Sequence, residues 1–402
     1  MRQNDSCHIM VKPTGSVCNL DCDYCFYLEK EKLYPERNKD YRMSIDTLEK
    51  FIKQHIEAQG APEVIFAWQG GEPTLMGLDF FEIAVKLVSK HNIKNKKITH
   101  TFQTNGILIN DDWCKFFKIN NFLIGLSIDG PEELHDHYRK SRTGRTSFSK
   151  VMKAISLLKK YRVEFNTLTV VSDANQDSPL EVYRFLKNLG SKHMQFIPLV
   201  ERKSRQPNRD GLYLVSPEYD QESTILPHSV APHKFGNFLN IIFGEWLIED
   251  IGNIYIQMFE HTFAKWVGEA SNLCHFSETC GSAFAMESNG DIYACDHYVY
   301  SENKLGNINY KSIKNINTSE DNKLFGSNKK NLCDDCQKCK YKFLCNGGCP
   351  KHRILPSTIN SPNKNYLCQA YKSFFSHSEP YMMALQELVK RGLPPETIKT
   401  LL

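Results

Sequence analysis

The sequence predicts an α/β protein, with an open, partial (β/α)6 barrel followed by a small cysteine-rich α+β domain that contains a β-hairpin. Two observations lead to this prediction. In the first half of the chain, short apolar runs alternate six times with stretches of helical periodicity, which indicates a parallel sheet with right-handed crossovers. Six units fall short of the eight in a complete barrel. In the second half, nine of the 14 cysteines lie between residues 274 and 368.

Size and composition narrow the class of protein. A chain of 402 residues suggests two domains, and its 41% apolar and 24% charged residues are ordinary for a globular protein. The net charge of +4 gives no indication of a nucleic-acid surface. There is no run of 18 apolar residues and no apolar signal-peptide core, so we expect a cytoplasmic protein without a membrane or nucleic-acid partner. In that reducing compartment, clustered cysteines indicate metal ligands.

The elements of the barrel follow from hydrophobic periodicity and end signals. We predict strands at 9–12, 64–68, 99–103, 122–128, 163–171 and 193–199. We predict helices at 44–58, 78–91, 111–118, 147–161 and 179–189, the first of them capped by Ser44.

The second half contains a predicted loop, a helix and a hairpin. Residues 201–230 are polar and interrupted by prolines, 235–251 are strongly apolar with helical spacing, and 288–291 form a tight turn between two strands. The predicted domains are therefore a barrel at 1–230, a linking helical segment at 231–272, the cysteine-rich domain at 273–375 and a C-terminal helix at 376–402.

Three cysteines follow the first strand with the spacing C-x3-C-x2-C: Cys18, Cys22 and Cys25. A closed zinc site or a fully ligated cubane cluster needs four protein ligands. A cubane held by three cysteines keeps one iron open to a small molecule. The alternatives are a zinc knuckle with a distant fourth ligand, or buried thiols without metal.

Polar residues follow other predicted strands at the end where barrel chemistry is found. Gly70 and Gly71, followed by Glu72, come after the second strand, and such glycines can leave backbone amides and carbonyls free for the amino and carboxylate groups of a ligand. The alternative is an ordinary strand-to-helix turn. Ser127 ends the fourth strand, and Arg139 follows it as a possible carboxylate binder.

The second group of cysteines is large enough for two sites of four ligands. The predicted hairpin brings Cys295 back towards Cys280, and C-x2-C-x5-C-x3-C spacing follows. Setting Cys333 aside leaves eight cysteines, and spacing alone fits zinc and iron–sulfur equally well. These eight are Cys274, Cys280, Cys295, Cys336, Cys339, Cys345, Cys349 and Cys368. Cys7 and Cys114 fit neither site, and we expect them to be buried thiols.

The first cysteine motif together with Gly70-Gly71-Glu72-Pro73 resembles the core of the radical S-adenosylmethionine (SAM) enzymes. The resemblance implies that Cys18, Cys22 and Cys25 hold a 4Fe–4S cluster whose fourth iron binds the amine and carboxylate of SAM. The implied SAM-site residues are Gly70, Gly71, Glu72, Ser127 and Arg139. The second cysteine pattern resembles the SPASM domain and implies two auxiliary 4Fe–4S clusters. One would be held by Cys274, Cys280, Cys295 and Cys349, and the other by Cys336, Cys339, Cys345 and Cys368.

Longer motifs narrow the resemblance to the anaerobic sulfatase-maturating enzymes. These motifs are 25–27, 66–75, 103–106, 125–130, 295–298 and 305–308. The family oxidises a cysteine or serine in a C/S-x-P/A-x-R motif of a sulfatase to Cα-formylglycine, after a 5′-deoxyadenosyl radical removes a hydrogen atom from Cβ. By resemblance, Asp296 is the base, and Tyr27 and Gln69 belong to the substrate pocket. The implied partners are an unfolded or nascent sulfatase polypeptide and reduced flavodoxin or ferredoxin as electron donor.

Two other functions are compatible with the sequence. Another SPASM-type peptide modifier, forming a thioether or a crosslink, would share all three clusters. A zinc-stabilised binding protein without catalysis would use the same cysteines for structure alone.

Overall fold

The computed structural model describes residues 6–35, 41–270, 273–357 and 361–401. Its main feature is a ten-stranded sheet with the strand order β12-β11-β10-β1-β2-β3-β4-β5-β6-β9. Two short two-stranded sheets, β7–β8 and β13–β14, lie outside it. The strands are β1 (His8–Val11), β2 (Glu63–Trp68), β3 (Lys97–Thr104), β4 (Phe122–Ser127), β5 (Phe165–Val171), β6 (His193–Pro198), β7 (Arg202–Lys203), β8 (Thr224–Ile225), β9 (Tyr255–Ile256), β10 (Ala283–Met286), β11 (Asp291–Tyr293), β12 (Lys304–Asn307), β13 (Arg353–Leu355) and β14 (Lys364–Asn365).

Helices connect the strands and cover the sheet. They are α1 (Ile45–Ala58), α2 (Leu78–His91), α3 (Asp111–Ile119), α4 (Glu132–Tyr138), α5 (Phe148–Lys160), α6 (Pro179–Asn188), α7 (Pro232–Glu245), α8 (Gln257–Trp266), α9 (Ile313–Asn317), α10 (Glu320–Asn328), α11 (Asp334–Gln337), α12 (Lys342–Cys345) and α13 (Cys368–Lys390). Among the described residues, no helix combines the length and the apolar character needed to cross a membrane.

The six predicted strand–helix units are confirmed. Strands β1 to β6 lie side by side in chain order, and each adjacent pair is parallel. Helix α1 begins as predicted, because the Ser44 side chain accepts a hydrogen bond from the amide of Thr47. The short helix α4 was not predicted. Its seven residues contain too few turns to give a clear periodic signal.

The sheet continues past the six barrel strands at both edges. Strand β10 pairs in parallel with β1, with Ile9 opposite Phe284, and β9 pairs in parallel with β6. The predicted hairpin is confirmed as β10–β11, with Met286 opposite Ile292. The hairpin is therefore an extension of the barrel sheet, and it brings the cysteine-rich region against the first strand.

The C-terminal helix begins earlier than predicted. Helix α13 starts at Cys368, so the predicted boundary between residues 375 and 376 falls inside a continuous helix. It packs on α7 and α8, where Phe374 lies 5.3 Å from Phe259 between ring centroids. The predicted helix at 235–251 is α7 followed by a π-helical turn, Trp246–Asp250. Residues 201–230 are mostly irregular, as predicted, apart from β7 and β8.

Candidate active site

A cavity of about 340 Å³ lies at the carboxyl ends of the barrel strands. This volume is in the range of small-molecule sites. The strand ends contribute Lys12, Gln69, Gln103, Ser127, Val170 and Pro198 to its wall. Seven of the predicted ligands line the same cavity: Cys18, Cys22, Cys25, Cys274, Cys280, Cys295 and Cys349. The structure thus brings the first cysteine group and one predicted auxiliary set together.

The first three cysteines are held by a loop that offers hydrogen bonds to sulfur. The amide of Leu20 donates to Cys18 Sγ at 3.4 Å, and Asn105 Nδ2 donates to the same sulfur at 3.7 Å. The amide of Tyr27 donates to Cys25. Burial raises the pKa of the Cys18 thiol to about 12, so iron binding must displace a proton from it.

The glycines after β2 are required by the cysteine loop. A Cβ on Gly71 would lie 2.1 Å from the carbonyl oxygen of Val17, which no side chain tolerates. The Gly71 amide donates to the Gly15 carbonyl at 2.8 Å, and the Glu72 amide donates to the Val17 carbonyl at 3.0 Å. The expectation that the glycine amides are free for a ligand is therefore wrong for Gly71. Gly70 and Gly71 still line the cavity.

Glu72 differs most from its predicted place. Its side chain is fully buried and is not among the residues that line the cavity. Its Oε1 accepts hydrogen bonds from the hydroxyls of Thr74 at 2.6 Å and Thr104 at 2.8 Å, and its Oε2 accepts one from the Asn105 amide at 2.8 Å. Thr104 ends β3 and Asn105 follows it. These hydrogen bonds therefore connect the carboxylate after β2 to the end of β3.

Ser127 and Arg139 both line the cavity, as predicted. Arg139 is already engaged in an ion pair with Asp129, with Nε 2.7 Å from Oδ2 and Nη2 3.1 Å from Oδ1. The Tyr24 hydroxyl also donates to Asp129, at 2.5 Å. Burial alone would raise the pKa of Asp129, but the charge of Arg139 holds that pKa below its usual value. The pair fixes the direction of the guanidinium at the cavity wall.

Asp296 and Lys12 form a buried ion pair in the cavity wall. Asp296 follows Cys295 in a single turn of 3-10 helix, and Lys12 Nζ lies 2.6 Å from its Oδ1 without hydrogen-bond alignment. Lys12 is 1% exposed. Its ammonium also lies 3.8 Å from the centre of the Tyr27 ring and 3.4 Å from Gln69 Oε1. Lys12 thus joins the predicted base to both predicted substrate-pocket residues.

Lys12 was not among the predicted site residues, although the sequence contains a signal for it. It directly follows the apolar strand β1, at the strand end where the functional residues of such sheets are found. Tyr27 has a second missed partner, because its hydroxyl donates to the buried carboxylate of Glu287. Burial and the charge of Glu287 raise the pKa of Tyr27 well above its ordinary value, so this phenol stays neutral.

The auxiliary cysteines divide between two places. Cys274, Cys280, Cys295 and Cys349 line the large cavity beside the β10–β11 hairpin. A second cavity of about 20 Å³ is lined by the other predicted set, Cys336, Cys339, Cys345 and Cys368. Among the described residues, no three His, Cys, Asp or Glu side chains converge as ligands of one metal ion. In a cubane each sulfur binds a different iron, whereas a zinc ion draws its sulfurs to one point.

The remaining thiols are buried. Cys7 and Cys114 lie in the apolar core, as predicted. Cys333 is 1% exposed and is not among the residues that line the second cavity.

Two family models match the chain where the cysteines lie. The model of the Radical SAM superfamily matches residues 13–186, and the SPASM model, described as an iron-sulfur cluster-binding domain, matches residues 274–340. The protein is therefore a radical SAM enzyme with a SPASM domain. Its cofactors are SAM, a 4Fe–4S cluster in the barrel and further iron–sulfur clusters in the SPASM domain. The hypothesis of a non-catalytic zinc protein is wrong.

Full-length relatives define the family more closely. The chain is 44% identical over 396 residues to a serine-type anaerobic sulfatase-maturating enzyme of Bacteroides thetaiotaomicron, covering 98% of this chain and 95% of the relative. It is 38% identical over 388 residues to a cysteine-type enzyme of Clostridium perfringens, covering 95% and 99%. A solved structure described as native anSMEcpe with bound AdoMet and Cp18Cys peptide superimposes with a TM-score of 0.82 at 35% identity, covering 95% and 99%. The chain belongs to the anaerobic sulfatase-maturating enzymes.

Proposed function

We propose that this protein oxidises a cysteine or serine side chain of a sulfatase polypeptide to Cα-formylglycine. The observation that carries the proposal is the position of Asp296. Its carboxylate lies in the wall of the one cavity that the first cysteine group and the Cys274 group share. A base at that place can take up the proton that the substrate thiol or hydroxyl loses, and relatives along the whole chain carry the name of this activity.

The proposed cofactor sites follow the division of the cysteines. Cys18, Cys22 and Cys25 would hold the cluster that binds SAM, with Gly70, Gly71, Ser127 and Arg139 around SAM. The proposed auxiliary ligands are Cys274, Cys280, Cys295 and Cys349 for one cluster, and Cys336, Cys339, Cys345 and Cys368 for the other. When bound, these groups supply the hydrogen-abstracting radical and an acceptor for one electron.

The side chains of the cavity handle the proton. Oxidation of Cβ–SH to a thioaldehyde removes one hydrogen atom, one proton and one electron, and water then replaces sulfur by oxygen. Asp296 accepts the proton from the thiol, or from the hydroxyl of a serine substrate. Lys12, with Nζ 2.6 Å from Oδ1 of Asp296, supplies the paired charge that a buried carboxylate needs. Tyr27 and Gln69, which both contact the Lys12 ammonium, position the substrate.

An assay with paired peptides tests the proposal. Reduced enzyme and SAM are incubated with peptides that contain Cys-x-Pro-x-Arg or Ser-x-Pro-x-Arg, and with an Ala-x-Pro-x-Arg control. We expect 5′-deoxyadenosine together with an aldehyde that a hydrazide probe captures from at least one of the first two peptides. A thioether or crosslinked product would instead identify another SPASM-type peptide modifier, and no peptide product would refute the assignment. The ratio of the Cys and Ser rates gives the preferred target.

We further propose that the enzyme is cytoplasmic and exchanges electrons with an acidic carrier protein such as reduced flavodoxin or ferredoxin. Residues 331–372 contain seven Lys and Arg but only two Asp and Glu, a net charge of +5 against +4 for the whole chain. Lys342 and Lys372 are exposed at the second cavity. Such a basic surface favours an acidic partner.

A further inference from the structure

The wall of the large cavity contains a second buried ion pair, between Glu201 and Lys351. The side chains of these two residues are 7% and 11% exposed. Among the described residues of the wall, Asp296 and Glu201 are the only carboxylates, and each of them is paired with a lysine. The proposed proton transfer involves the Asp296 pair and gives no role to Glu201.

Lys351 joins the cysteine loop of the barrel to the turn that contains the proposed base. Its ammonium lies 4.7 Å from the centre of the Phe26 ring and 3.5 Å from Nδ1 of His297. The Phe26 and His297 rings also pack on each other, with centroids 5.4 Å apart. Phe26 directly follows Cys25, and His297 directly follows Asp296. The position of Lys351 therefore affects the distance between these two turns.

Glu201 connects Lys351 to the last parallel strand of the barrel. It lies three residues after Pro198, where β6 ends. Its amide donates to Ser229 Oγ at 3.2 Å, and its carbonyl accepts a hydrogen bond from the Leu226 amide at 2.9 Å. These hydrogen bonds hold the Glu201 backbone at the base of the 201–229 loop. The ion pair thus joins the barrel to the cysteine-rich region inside the cavity.

Stability alone does not explain this ion pair. Taking two charges out of water is costly, and apolar side chains of similar volume often replace such a pair without loss of stability. A buried pair does keep two groups at a defined distance, because each charge is left uncompensated when the other moves away. The contacts of Lys351 with Phe26 and His297 apply this restraint to both turns.

We propose that Glu201 and Lys351 are positioning residues, which hold the Asp296 turn against the cysteine loop so that the carboxylate faces the substrate. The inference rests on the proposed function, in which Asp296 accepts the substrate proton. A misplacement of about 1 Å can slow an enzymatic step on the order of 10²-fold. When the turn moves, SAM cleavage continues but is followed less often by aldehyde formation.

The experiment compares Lys351→Met, Glu201→Gln and Lys351→Arg in the anaerobically reconstituted full-length enzyme. Methionine removes the charge and keeps an unbranched chain, whereas arginine keeps a cation that pairs with carboxylates and stacks on aromatic rings. Lys187→Met is the matched control, because Lys187 Nζ lies 2.6 Å from Oδ1 of the buried Asp250, and neither residue lines the cavity.

Four quantities are measured for each variant. Iron per chain and thermal unfolding are determined first. The ratio of aldehyde to 5′-deoxyadenosine is then measured in one reaction with the Cys-x-Pro-x-Arg and Ser-x-Pro-x-Arg peptides. Hydrogen–deuterium exchange of residues 296–300 reports on the turn itself without any turnover.

We expect full iron content in all four variants. In Lys351→Met and Glu201→Gln the ratio falls several-fold and residues 296–300 exchange faster, whereas Lys351→Arg recovers most of the parent ratio. Lys187→Met is destabilised but keeps the parent ratio and exchange. An unchanged ratio in Lys351→Met, or an equal fall in Lys187→Met, overturns the inference. Glu201→Gln decides in the same way if Lys351→Met loses iron.

Failure of the proposed function gives a different result. A parent enzyme that cleaves SAM but forms no aldehyde from either peptide refutes the proposed function. The exchange of residues 296–300 then decides on the positioning role by itself. Exchange at the parent rate in both Lys351→Met and Glu201→Gln overturns that role.

Discussion

The two cavities that contain cysteines are built in different ways. The ligands proposed at the small cavity come from one stretch of chain, residues 336–368. The large cavity collects cysteines from residue 18 to residue 349, and its wall also contains the ends of six barrel strands. The small site needs only local folding, whereas the large site needs the complete sheet. We therefore expect substitutions at the two sites to separate the steps of the reaction.

The largest expected effect is the difference in SAM cleavage between a cysteine substitution at the large cavity and one at the small cavity. Cys22→Ala should remove about four irons and abolish SAM cleavage, because the radical chemistry depends on that cofactor. Cys339→Ala should also remove about four irons but leave SAM cleavage measurable. Iron analysis and chromatography of 5′-deoxyadenosine check both outcomes, with circular dichroism as a control for folding. Equal loss of SAM cleavage in both variants would contradict the division between the cavities.

The carboxylate of the large cavity provides the second comparison. Asp296→Asn should lower aldehyde formation by roughly 10²–10⁴-fold, the usual contribution of a general base, while SAM cleavage persists. Asp335→Asn, which removes a carboxylate at the small cavity, is the matched control and should have little effect. Both products are quantified in one reaction. Undiminished aldehyde formation by Asp296→Asn would exclude this residue as the base.

Gly71→Ala tests whether the cysteine loop and the β2 end must touch. The new Cβ would lie 2.1 Å from the Val17 carbonyl oxygen, so the loop must move. We expect about 1–3 kcal/mol of destabilisation together with a loss of iron from the first cysteine group. Gly244→Ala in α7, where the Cβ meets nothing within 4 Å, is the control and should be neutral or slightly stabilising. Thermal unfolding and iron analysis measure the difference, and identical behaviour of the two variants would refute the steric argument.

Charge reversal of the lysines at the small cavity is expected to change the rate of electron exchange several-fold. Lys342→Glu with Lys372→Glu should slow electron exchange with an acidic flavodoxin and weaken its dependence on salt concentration. Lys153→Glu with Lys159→Glu changes exposed lysines on α5 of the barrel and serves as the control. Stopped-flow reduction at two ionic strengths provides the measurement. Equal slowing in both double variants would indicate a general charge effect without a docking site.

The smallest expected effect concerns His100, a buried barrel residue whose Nδ1 accepts a hydrogen bond from Trp68 Nε1 at 3.3 Å. Burial lowers the pKa of His100 from 6.5 to about 4. The unfolded chain therefore binds this proton first as the pH falls, and stability is lost from about pH 6.5 down to about pH 4, by at most about 3 kcal/mol. His100→Phe should reduce the loss of stability that thermal unfolding shows between about pH 6.5 and about pH 4. An unchanged pH dependence, matching that of the exposed-site control His233→Phe, would refute this assignment.

The sequence was sufficient to predict those elements whose structure depends on residues near one another in the chain. Helix α2 was predicted residue for residue, because its apolar spacing is regular over 14 residues. The four cysteines that the resemblance to the SPASM domain assigned to one cluster line the small cavity together, although spacing alone did not separate them from the other four.

Contacts between distant residues could not be predicted in this way. The Lys12–Asp296 ion pair joins residues from opposite halves of the chain, and nothing in the spacing of either residue points to the other. The predicted position of Glu72 in the cavity wall was wrong for a related reason. A motif gives the residue type after a strand, but the four hydrogen-bond donors around this carboxylate decide which way it points. That β1 pairs with β10 was likewise hidden, because parallel pairing leaves no local turn signal.

The pairing of β1 with β10 also sets the order of events during synthesis. Strand β1 is made first, yet its outer neighbour appears only when the ribosome reaches Ala283–Met286. At about 5–20 residues per second, this edge of the nascent sheet stays uncovered for roughly 14–55 seconds. An uncovered strand edge readily pairs with other chains. The first half of this enzyme, including Cys18, Cys22 and Cys25, therefore lacks the strand that covers this edge until the second half is made.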